Sequence, residues 1–353
     1  MDKTMYDYIL EQPAVLRDIL ENRGAYTGEF AAYMNTHKPD RIYLIASGTS
    51  NNAALQSARF MEYALGIEVS AAAPSFLPEI RGANPLLIFI SQGGGSTNTI
   101  AACKNLESYP RLAMTGQEQS RLKEICPRHI LIPCGEEKAG PKTKGYTATI
   151  LTLYLMALEA GGGKGELSPE HCLEVLSLVP GYIAENTGIA EKWFEENKED
   201  LRNMSGCMVV GKNTAGLTAR EAALKLQETM LIPAAGYDFE EFLHGPVCAA
   251  GEGEGAVYFM PPEEDPDYQR MAALVEFHRG ISPKVYTLGG GGKLRDRRDC
   301  VLKTTGHWYT SVFEDILPCQ LMGARLPELS GLGDKGMQRF KQLDETLKMK
   351  FKS

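Results

Sequence analysis

Hydroxyl side chains and glycines are concentrated in the segment SQGGGSTNT, residues 91–99. The segment follows an apolar run that predicts a buried strand, and it precedes residues with helical spacing. Exposed backbone N–H groups at the start of a helix attract anions, and glycine lets the backbone approach an anion closely. With Ser91, Ser96 and Thr99 as further donors, the segment is either a phosphate cradle or an ordinary strand-to-helix turn with a serine cap. It lacks the Gly-Lys-Ser/Thr of a P-loop.

A second hydroxyl-rich turn, SGTSNN at residues 47–52, follows the first predicted strand. By itself this turn is best explained by Thr49 and Ser50 capping the next helix. However, the two turns follow neighbouring strands of a predicted parallel sheet, and the carboxyl ends of such strands face one crevice in which ligands bind. Together they therefore predict a ligand site more strongly than either does alone.

Charged residues of the segment REAALKLQE follow a helical pattern. Glu221, Lys225 and Glu228 are spaced i, i+4 and i+7, which places them on one face of a helix. A solvated charged face is the usual meaning of such a pattern. The alanines and leucines around them instead favour a well-covered helix, in which a partly buried carboxylate beside a lysine could act as a base near neutral pH.

One of the six histidines, His244, stands directly before Gly245-Pro246 and is therefore predicted to lie in a turn. An imidazole in this position could transfer protons between sugar oxygens, because its pKa lies near neutral pH. The alternative is an ordinary loop histidine without a chemical role.

The composition is that of a globular protein. The chain has 353 residues, of which 43% are hydrophobic and 23% charged, and its formal net charge of −8 disfavours binding to a nucleic-acid backbone. No apolar run reaches the roughly 18 residues of a membrane helix, and the mixed, acidic N-terminus does not resemble a secretory signal. The eight cysteines form no CxxC pair. We therefore expect a cytoplasmic protein with reduced thiols that binds neither nucleic acid nor membrane.

Short apolar runs alternate with helical segments in both halves of the chain, which predicts parallel sheets covered by helices. Clear examples of such runs are residues 41–46, 85–91 and 206–211. We therefore expect an α/β protein with two subdomains that share a plan of strand, glycine turn and helix. The predicted divisions are N-terminal helices at 1–36, a first subdomain at 37–165, connecting helices at 166–205, a second subdomain at 206–330 and a C-terminal tail at 331–353.

Five segments together resemble the SIS (sugar isomerase) family, in particular the isomerase part of glucosamine-6-phosphate synthase and stand-alone fructosamine-6-phosphate deglycases. They occur in the family's order and spacing; they are IASGTSNN, LIFISQGGGSTNT, GPKTKGYT, AREAALKLQE and EEFLHGP. The resemblance implies two flavodoxin-like SIS subdomains, each a mostly parallel sheet flanked by helices. It also implies a homodimer and a hexose 6-phosphate or fructosamine 6-phosphate as ligand, with no metal and no organic cofactor.

The resemblance assigns ligand-binding roles to the two hydroxyl-rich turns. Positions that bind the phosphate or lie near the sugar in the family are matched by Ser50, Ser91, Gln92, Ser96 and Thr99. One departure concerns Gly93, which stands where the family usually has a serine. We therefore expect one hydroxyl contact to the phosphate to be missing.

The resemblance also implies which residues take part in the reaction. Glu221 and Lys225 match the helix that lines the sugar, and Glu228 matches the carboxylate that moves a proton between C1 and C2. His244 matches the histidine that assists ring opening in the neighbouring subunit's site. Lys341 matches a tail lysine that closes over the sugar.

The expected function is a fructosamine 6-phosphate deglycase or a ketose/aldose 6-phosphate isomerase that uses glutamate-mediated proton transfer. The sequence starts with the isomerase part, so we expect no glutamine-dependent synthase. One alternative is an aminosugar 6-phosphate deaminase or isomerase. Another is a non-catalytic regulator that binds a phosphosugar.

Overall fold

The computed structural model describes residues 3–290 and 296–350. These residues form two compact units. The first unit consists of residues 14–138, 142–177 and 340–350. The second unit consists of residues 3–13, 139–141, 178–290 and 296–339.

The first unit contains a five-stranded parallel sheet. Its strands are β1 (Arg41–Ala46), β2 (Glu68–Ala72), β3 (Pro85–Ile90), β4 (Arg111–Thr115) and β5 (His129–Leu131). They are ordered β2-β1-β3-β4-β5, so β1 and β3 are neighbours although β2 lies between them in the sequence. All six residues of β3 are buried, as its continuous apolar sequence predicts for a strand covered on both faces.

Helices precede, connect and follow these strands. The two helices predicted before β1 are α1 (Met5–Glu21) and α2 (Arg23–His37). The next helices along the chain are α3 (Thr49–Leu65), α4 (Thr97–Asn105), α5 (Arg121–Ile125), α6 (Lys144–Ala160) and the 33-residue α7 (Pro169–Leu201).

The core of the first unit fixes the end of β3 and the start of α4. Phe89 of β3 packs in one buried cluster with Tyr43 of β1, Ile100 of α4 and Leu122 of α5. Removal of this apolar surface from water holds the helices on the sheet. The segment SQGGGSTNT between β3 and α4 is therefore anchored at both of its ends.

The second unit repeats the plan of the first. Its strands are β6 (Cys207–Gly211), β7 (Ala234–Asp238), β8 (Gly255–Phe259), β9 (Val285–Gly289) and β10 (Asp299–Val301), all parallel and ordered β7-β6-β8-β9-β10. Its helices are α8 (Thr214–Met230), α9 (Phe239–Leu243), α10 (Tyr268–Arg279) and α11 (Ser311–Leu329), together with residues 335–339 of α12 (Lys335–Leu347). The predicted fold class, two α/β subdomains of related architecture, is confirmed.

Strands β7 and β10 were not predicted from the sequence. The sequence of β7, AAGYD, is not a continuous apolar run, because small residues are required where the strand lies against α8. A Cβ atom at Gly236 would lie 2.4 Å from the carbonyl carbon of Ala219 in that helix. The edge strand β10 has only three residues, too few for a periodic pattern.

The eight cysteines are all free thiols, as predicted. No helix within residues 3–290 and 296–350 is long and apolar enough to cross a membrane. The same residues contain no group of three or more histidine, cysteine or acidic side chains that could hold a metal ion.

Two adjacent acidic residues of α11, Glu314 and Asp315, are buried in the second unit. Burial raises the pKa of Glu314 to about 7, although the backbone N–H of Thr305 donates to its Oε1 at 3.0 Å. Burial and the neighbouring Glu314 also raise the pKa of Asp315. The fold therefore favours the neutral form of both carboxyl groups.

The titration of Glu314 should make the free energy of unfolding fall as the pH rises from 4.5 to about 7. Over that range the unfolded chain has released this proton while the folded chain still holds it, so each step in pH favours unfolding. Glu314→Gln removes the titration and should reduce the fall by up to about 3 kcal/mol. Urea unfolding across this pH range measures the effect. Glu328→Gln, at an exposed position of the same helix, is the control, and a fall equal in Glu314→Gln and parent would contradict the assignment.

Candidate active site

The turn after β3 depends on one glycine of SQGGGSTNT. The N–H of Gly94 donates to the carbonyl of Ser91 at 2.9 Å, and its carbonyl accepts from the N–H of Leu122 at 3.0 Å. Gly94 has a φ of +62°, and a Cβ atom there would lie 2.3 Å from the Cβ of Ser120. Both conformation and space therefore require glycine at this position. By contrast, among the described residues other than its chain neighbours, no atom lies within 4 Å of a Cβ placed at Gly93.

The hydroxyl groups of Ser91, Ser96 and Thr99 do not form capping hydrogen bonds to α4. Ser96 occupies the cap position of α4, but its side chain makes no capping hydrogen bond. Its Oγ lies 3.2 Å from the Oγ of Ser91, which is buried. Thr99 Oγ1 is buried and has no hydrogen-bond partner among the described residues. These observations favour the phosphate cradle over the ordinary capped turn.

Backbone donors accompany these hydroxyl groups. Within the part of the chain that the structure describes, four N–H groups that lie close together in the sequence have no backbone acceptor. They are the N–H groups of Gln92, Gly93, Gly95 and Ser96. Such groups next to the start of a nine-residue helix can bind an anion. The chemistry of the turn is therefore that of a neutral, hydrogen-bonding anion site.

The two hydroxyl-rich turns are joined directly. Asn98 Nδ2 donates to the Oγ of Ser47 at 2.8 Å, and β1 and β3, which end at these turns, are neighbours in the sheet. Ser50 is buried in the first turn of α3, behind Gly48, which has a φ of +58°. The first unit thus brings the predicted residues of both turns to one edge of its sheet. The link through Ser47 and Asn98 was not predicted.

The side chain of Gln92 points to α6. Its Nε2 donates to the carbonyl of Gly145 at 2.6 Å and to Thr149 Oγ1, while its Oε1 accepts from Cys134 Sγ at 3.4 Å. The amide therefore ties the turn to the next part of the unit. What Gln92 can offer to an anion in this arrangement is its backbone N–H.

The end of the chain lies on the same turn, through residues that were not predicted. The carbonyl of Met349 accepts from the N–H of Thr97 at 3.0 Å and from its Oγ1 at 2.9 Å. Lys350 pairs with Ser96 in an isolated antiparallel bridge. Lys341, which the family resemblance singles out, lies instead on the exposed surface of α12. The role of Lys341 in closing over a sugar stays a prediction, and the tail residues that contact the turn are Met349 and Lys350.

The charged face of α8 in the second unit is buried. Lys225 Nζ lies 2.5 Å from Glu228 Oε2 and 3.3 Å from Glu221 Oε1. Lys225 and Glu221 are fully buried, whereas the Glu228 side chain is 33% exposed. The alternative of a solvated charged face is therefore wrong.

Opposing effects act on the pKa of Lys225. Burial alone would lower this pKa, but the negative charges of Glu221 and Glu228 outweigh it and raise the pKa above its ordinary value of 10.5. Lys225 is therefore a fixed positive charge at neutral pH. It holds the partly exposed Glu228 carboxylate in place, which is the arrangement that a positioned base requires.

Helix α11 covers this part of α8. A Cβ atom at Gly323 would lie 3.6 Å from the Cβ of Lys225 and 3.4 Å from Thr229 Oγ1. Thr229 Oγ1 also donates to the carbonyl of Lys225 at 2.9 Å. Gly323 of α11 thus lies in ordinary packing distance of α8, next to the fully buried Lys225.

His244 lies immediately after the short helix α9, in the turn predicted for it. It is exposed, and its backbone N–H donates to the carbonyl of Glu241 at 3.2 Å. Asp238 caps the start of α9 by accepting from the N–H of Glu240. The imidazole is thus presented on the surface of the second unit.

Comparison with known proteins identifies the family of this fold. A model of the SIS domain matches residues 36–159, which contain all five strands of the first sheet. A solved structure assigned as a phosphosugar isomerase from Clostridium difficile is 30% identical to this chain, with a TM-score of 0.84 and 94% of each chain covered. The chain belongs to the SIS domain family.

Two further relatives are similar along most of this SIS chain. A structure from Salmonella typhimurium assigned as a sugar-binding protein is 27% identical, with a TM-score of 0.82, and covers 92% of this chain and 99% of its own. A glutamine–fructose-6-phosphate aminotransferase (isomerizing) from Oceanobacillus iheyensis is 27% identical over 328 residues, which are 90% of this chain and 54% of that protein. The chain thus spans about half the length of the curated relatives it matches.

The second SIS sheet carries different side chains after its first and third strands. At the corresponding position, after β6, Lys212 Nζ lies 2.6 Å from Asp265 Oδ1 and 2.8 Å from Asp267 Oδ2, both in the segment after β8. The acidic side chains neutralise the cation, and the segment PPEEDPD supplies neither glycines nor hydroxyl groups. Among the described residues, the segment after the third strand is therefore rich in glycine and hydroxyl groups in the first unit and acidic in the second.

Substitution of neighbouring glycines should separate structure from binding in the turn. Gly94→Ala should lower the free energy of unfolding by about 1–3 kcal/mol, because it forces overlap with Ser120. Gly93→Ser should be tolerated and should strengthen binding of fructose 6-phosphate by about fivefold or more, because it adds a hydroxyl donor to a charged ligand. Urea unfolding and calorimetric titration measure the two effects. Equal stability of the two variants, or weaker binding by Gly93→Ser, would contradict this description of the turn.

Removal of the buried cation should be costly to the fold. Lys225→Met leaves the Glu221 carboxylate buried without the ammonium group 3.3 Å away, and should lower the free energy of unfolding by about 3–5 kcal/mol. Glu228→Gln is the matched control, since it leaves Lys225 paired with Glu221 and should cost much less. Denaturant unfolding of both variants tests the difference. Similar stability of the two variants would mean that the ion pairs contribute little.

Proposed function

We propose that the chain is a phosphosugar-processing enzyme that moves a proton between C1 and C2 of a hexose 6-phosphate or fructosamine 6-phosphate. The observation that carries the proposal is the carboxylate of Glu228, held by the buried Lys225 but partly open to solvent. The names of the relatives, a phosphosugar isomerase and a fructose-6-phosphate aminotransferase, support the same class of substrate.

The phosphate group is assigned to the turns of the first unit. A phosphate dianion would accept hydrogen bonds from Ser91, Ser96 and the neighbouring backbone N–H groups, with Thr99 and Ser50 behind them. This group does not react. It supplies binding energy that orients the reacting carbons, which is how remote binding contributes to catalysis.

Glu228 is assigned as the base. Its carboxylate takes the proton from the carbon next to the carbonyl, which yields an enediol, and returns the proton to the adjacent carbon. No atom is gained or lost in this isomerisation. Lys225 and Glu221 hold the carboxylate rather than react, because their side chains are fully buried.

In the deglycase reaction the substrate carries its amine on C1 and its carbonyl at C2. Proton transfer from C1 to Glu228 yields an enolamine, and protonation at C2 converts this into an imine of the aldose. Water adds to the imine carbon and releases the free amine and an aldose 6-phosphate. The same base therefore serves the isomerase and the deglycase, and the group on C1 decides the product.

His244 is assigned to ring opening, and the protein is assigned as a homodimer. The imidazole is exposed on a turn, so it is accessible to a bound sugar or to a second copy of the chain. Mixing Glu228→Gln with His244→Ala tests both points. Partial recovery of turnover after subunit exchange supports a shared site, whereas no recovery after confirmed exchange means that each subunit uses its own histidine.

A non-catalytic sugar-binding role is the second candidate, because one relative is assigned as a sugar-binding protein. A panel of hexose, aminosugar and fructosamine 6-phosphates distinguishes the candidates. Amine release from a fructosamine indicates the deglycase, and amine release from an aminosugar indicates a deaminase. Interconversion of ketose and aldose indicates the isomerase. Tight binding of a panel member without turnover of any would replace the enzymatic proposal with the binding role.

Glu228→Gln should bind the phosphosugar about as well as the parent but lose turnover by roughly 10²–10⁴-fold, the usual contribution of general acid–base catalysis. The substitution preserves the size of the side chain and removes the base. Exchange of the C1 or C2 proton with deuterated water, followed by NMR, should fall in parallel. Glu264→Gln, in an exposed loop of the same unit, is the control. Full turnover by Glu228→Gln would exclude this residue as the base.

A further inference from the structure

The first turn of α12 lies directly on the backbone of Glu228. A Cβ atom at Gly336, the second residue of α12, would lie 1.9 Å from the carbonyl oxygen of Glu228 and 3.4 Å from Leu231 Cδ2. Atoms do not approach a backbone oxygen so closely, so any side chain at position 336 must push the two segments apart. Gly336 has no positive φ, so space and not conformation requires glycine here.

A second close contact involves the next residue of the same turn. A Cβ atom at Gly140 would lie 1.7 Å from Met337 Sδ and 2.1 Å from its Cε. The side chain of Met337 thus fills the space beside residues 139–141, which belong to the same unit. The absence of side chains at Gly140 and Gly336 lets the start of α12 fit between this loop and the end of α8.

These contacts matter because α12 itself buries no side chain. None of its described residues is buried, and its apolar residues Leu343 and Leu347 are largely exposed. A helix without buried side chains gains little from the hydrophobic effect. Within the second unit, the attachment of residues 335–339 of α12 therefore depends on the close approach at its first turn.

The end of α8 itself needs support at this point. Leu231, the residue after the helix, has a left-handed conformation with a φ of +59°, which is unfavourable for a leucine. Glu228 lies in the last turn of α8, where the helix has fewer neighbours of its own. A segment seated on the Glu228 carbonyl restricts the backbone from which the catalytic side chain projects.

We propose that Gly336 is a positioning residue for Glu228, and that the first turn of α12, seated by Met337 beside Gly140, fixes the backbone of that carboxylate. The inference rests on the proposed function of Glu228 as the base. Gly336 does not touch the substrate. It acts by allowing a contact that a side chain would exclude.

The test compares Gly336→Ala with Gly188→Ala. Both replace a helical glycine with a better helix former, but a Cβ atom at Gly188 has no neighbour within 4 Å. In Gly336→Ala we expect faster backbone amide hydrogen exchange over residues 225–232 and a fall in kcat of at least about tenfold, since small displacements of a catalytic group are costly. Calorimetric affinity for fructose 6-phosphate should remain within about twofold. Gly188→Ala should match the parent in all three measurements.

Amide exchange is independent of activity, so the outcomes can be distinguished. Unchanged exchange in Gly336→Ala would overturn the proposal whether or not a substrate is known. Faster exchange with unchanged kcat would also overturn it, because the contact would then not position the base. A parent that turns over no member of the phosphosugar panel would contradict the proposed function, while the exchange result would still decide whether α12 restrains the Glu228 backbone.

A compensating pair tests the seating of Met337. Gly140→Ala should reduce kcat, and addition of Met337→Ala should restore at least part of it, because the smaller side chain frees the space that the new Cβ needs. Rescue by the second substitution would support the seating. A Gly140→Ala variant with parental kcat, or one that Met337→Ala does not improve, would exclude Met337 from the positioning of Glu228.

Discussion

The pairing of Lys225 with Glu221 and Glu228 is the interaction on which the chemistry of α8 depends. A lysine removed from water is costly unless opposite charges lie within a few ångströms. Two carboxylates one helical turn away on either side meet this need, but only while α8 keeps its helical geometry. Helix α11 packs against this part of α8, and Lys225 is fully buried. A single cation therefore fixes both the helix and the direction of the Glu228 carboxylate.

The candidate anion site of the first unit relies on uncharged hydrogen-bond donors instead of ion pairs. Its donors are hydroxyl and backbone N–H groups rather than lysine or arginine, and they are arranged by the turn at Gly94 and by the bond between Asn98 and Ser47. Neutral donors held in place make a site that favours a ligand of matching shape. The contact of Met349 with Thr97 adds a segment far away in sequence to this arrangement. In this turn, a fixed arrangement of neutral donors thus takes the place of positively charged side chains.

Sequence reasoning succeeded where a local pattern reports a local environment. The apolar run of β3 predicted a buried strand, the glycines after it predicted the turn, and the spacing of Glu221, Lys225 and Glu228 predicted one helical face. It missed β7, whose small residues reflect the approach of α8. It also missed the contact of Met349 with Thr97, because no periodicity links residues 252 positions apart. Likewise the direction of the Gln92 side chain depends on α6, which that motif does not contain.

The two SIS sheets show why topology alone does not assign a function. Both have the order second, first, third, fourth and fifth strand, and both place two turns at the point where ligands bind in such folds. In one sheet these turns carry glycines and hydroxyl groups, whereas in the other Lys212 is neutralised by Asp265 and Asp267. The second unit contributes instead through α8, where the buried Lys225 is paired with Glu221 and Glu228. An identical order of strands therefore carries hydroxyl- and glycine-rich turns in one unit and an ion-paired carboxylate in the other, and the side chains at the turns and on one helix decide which.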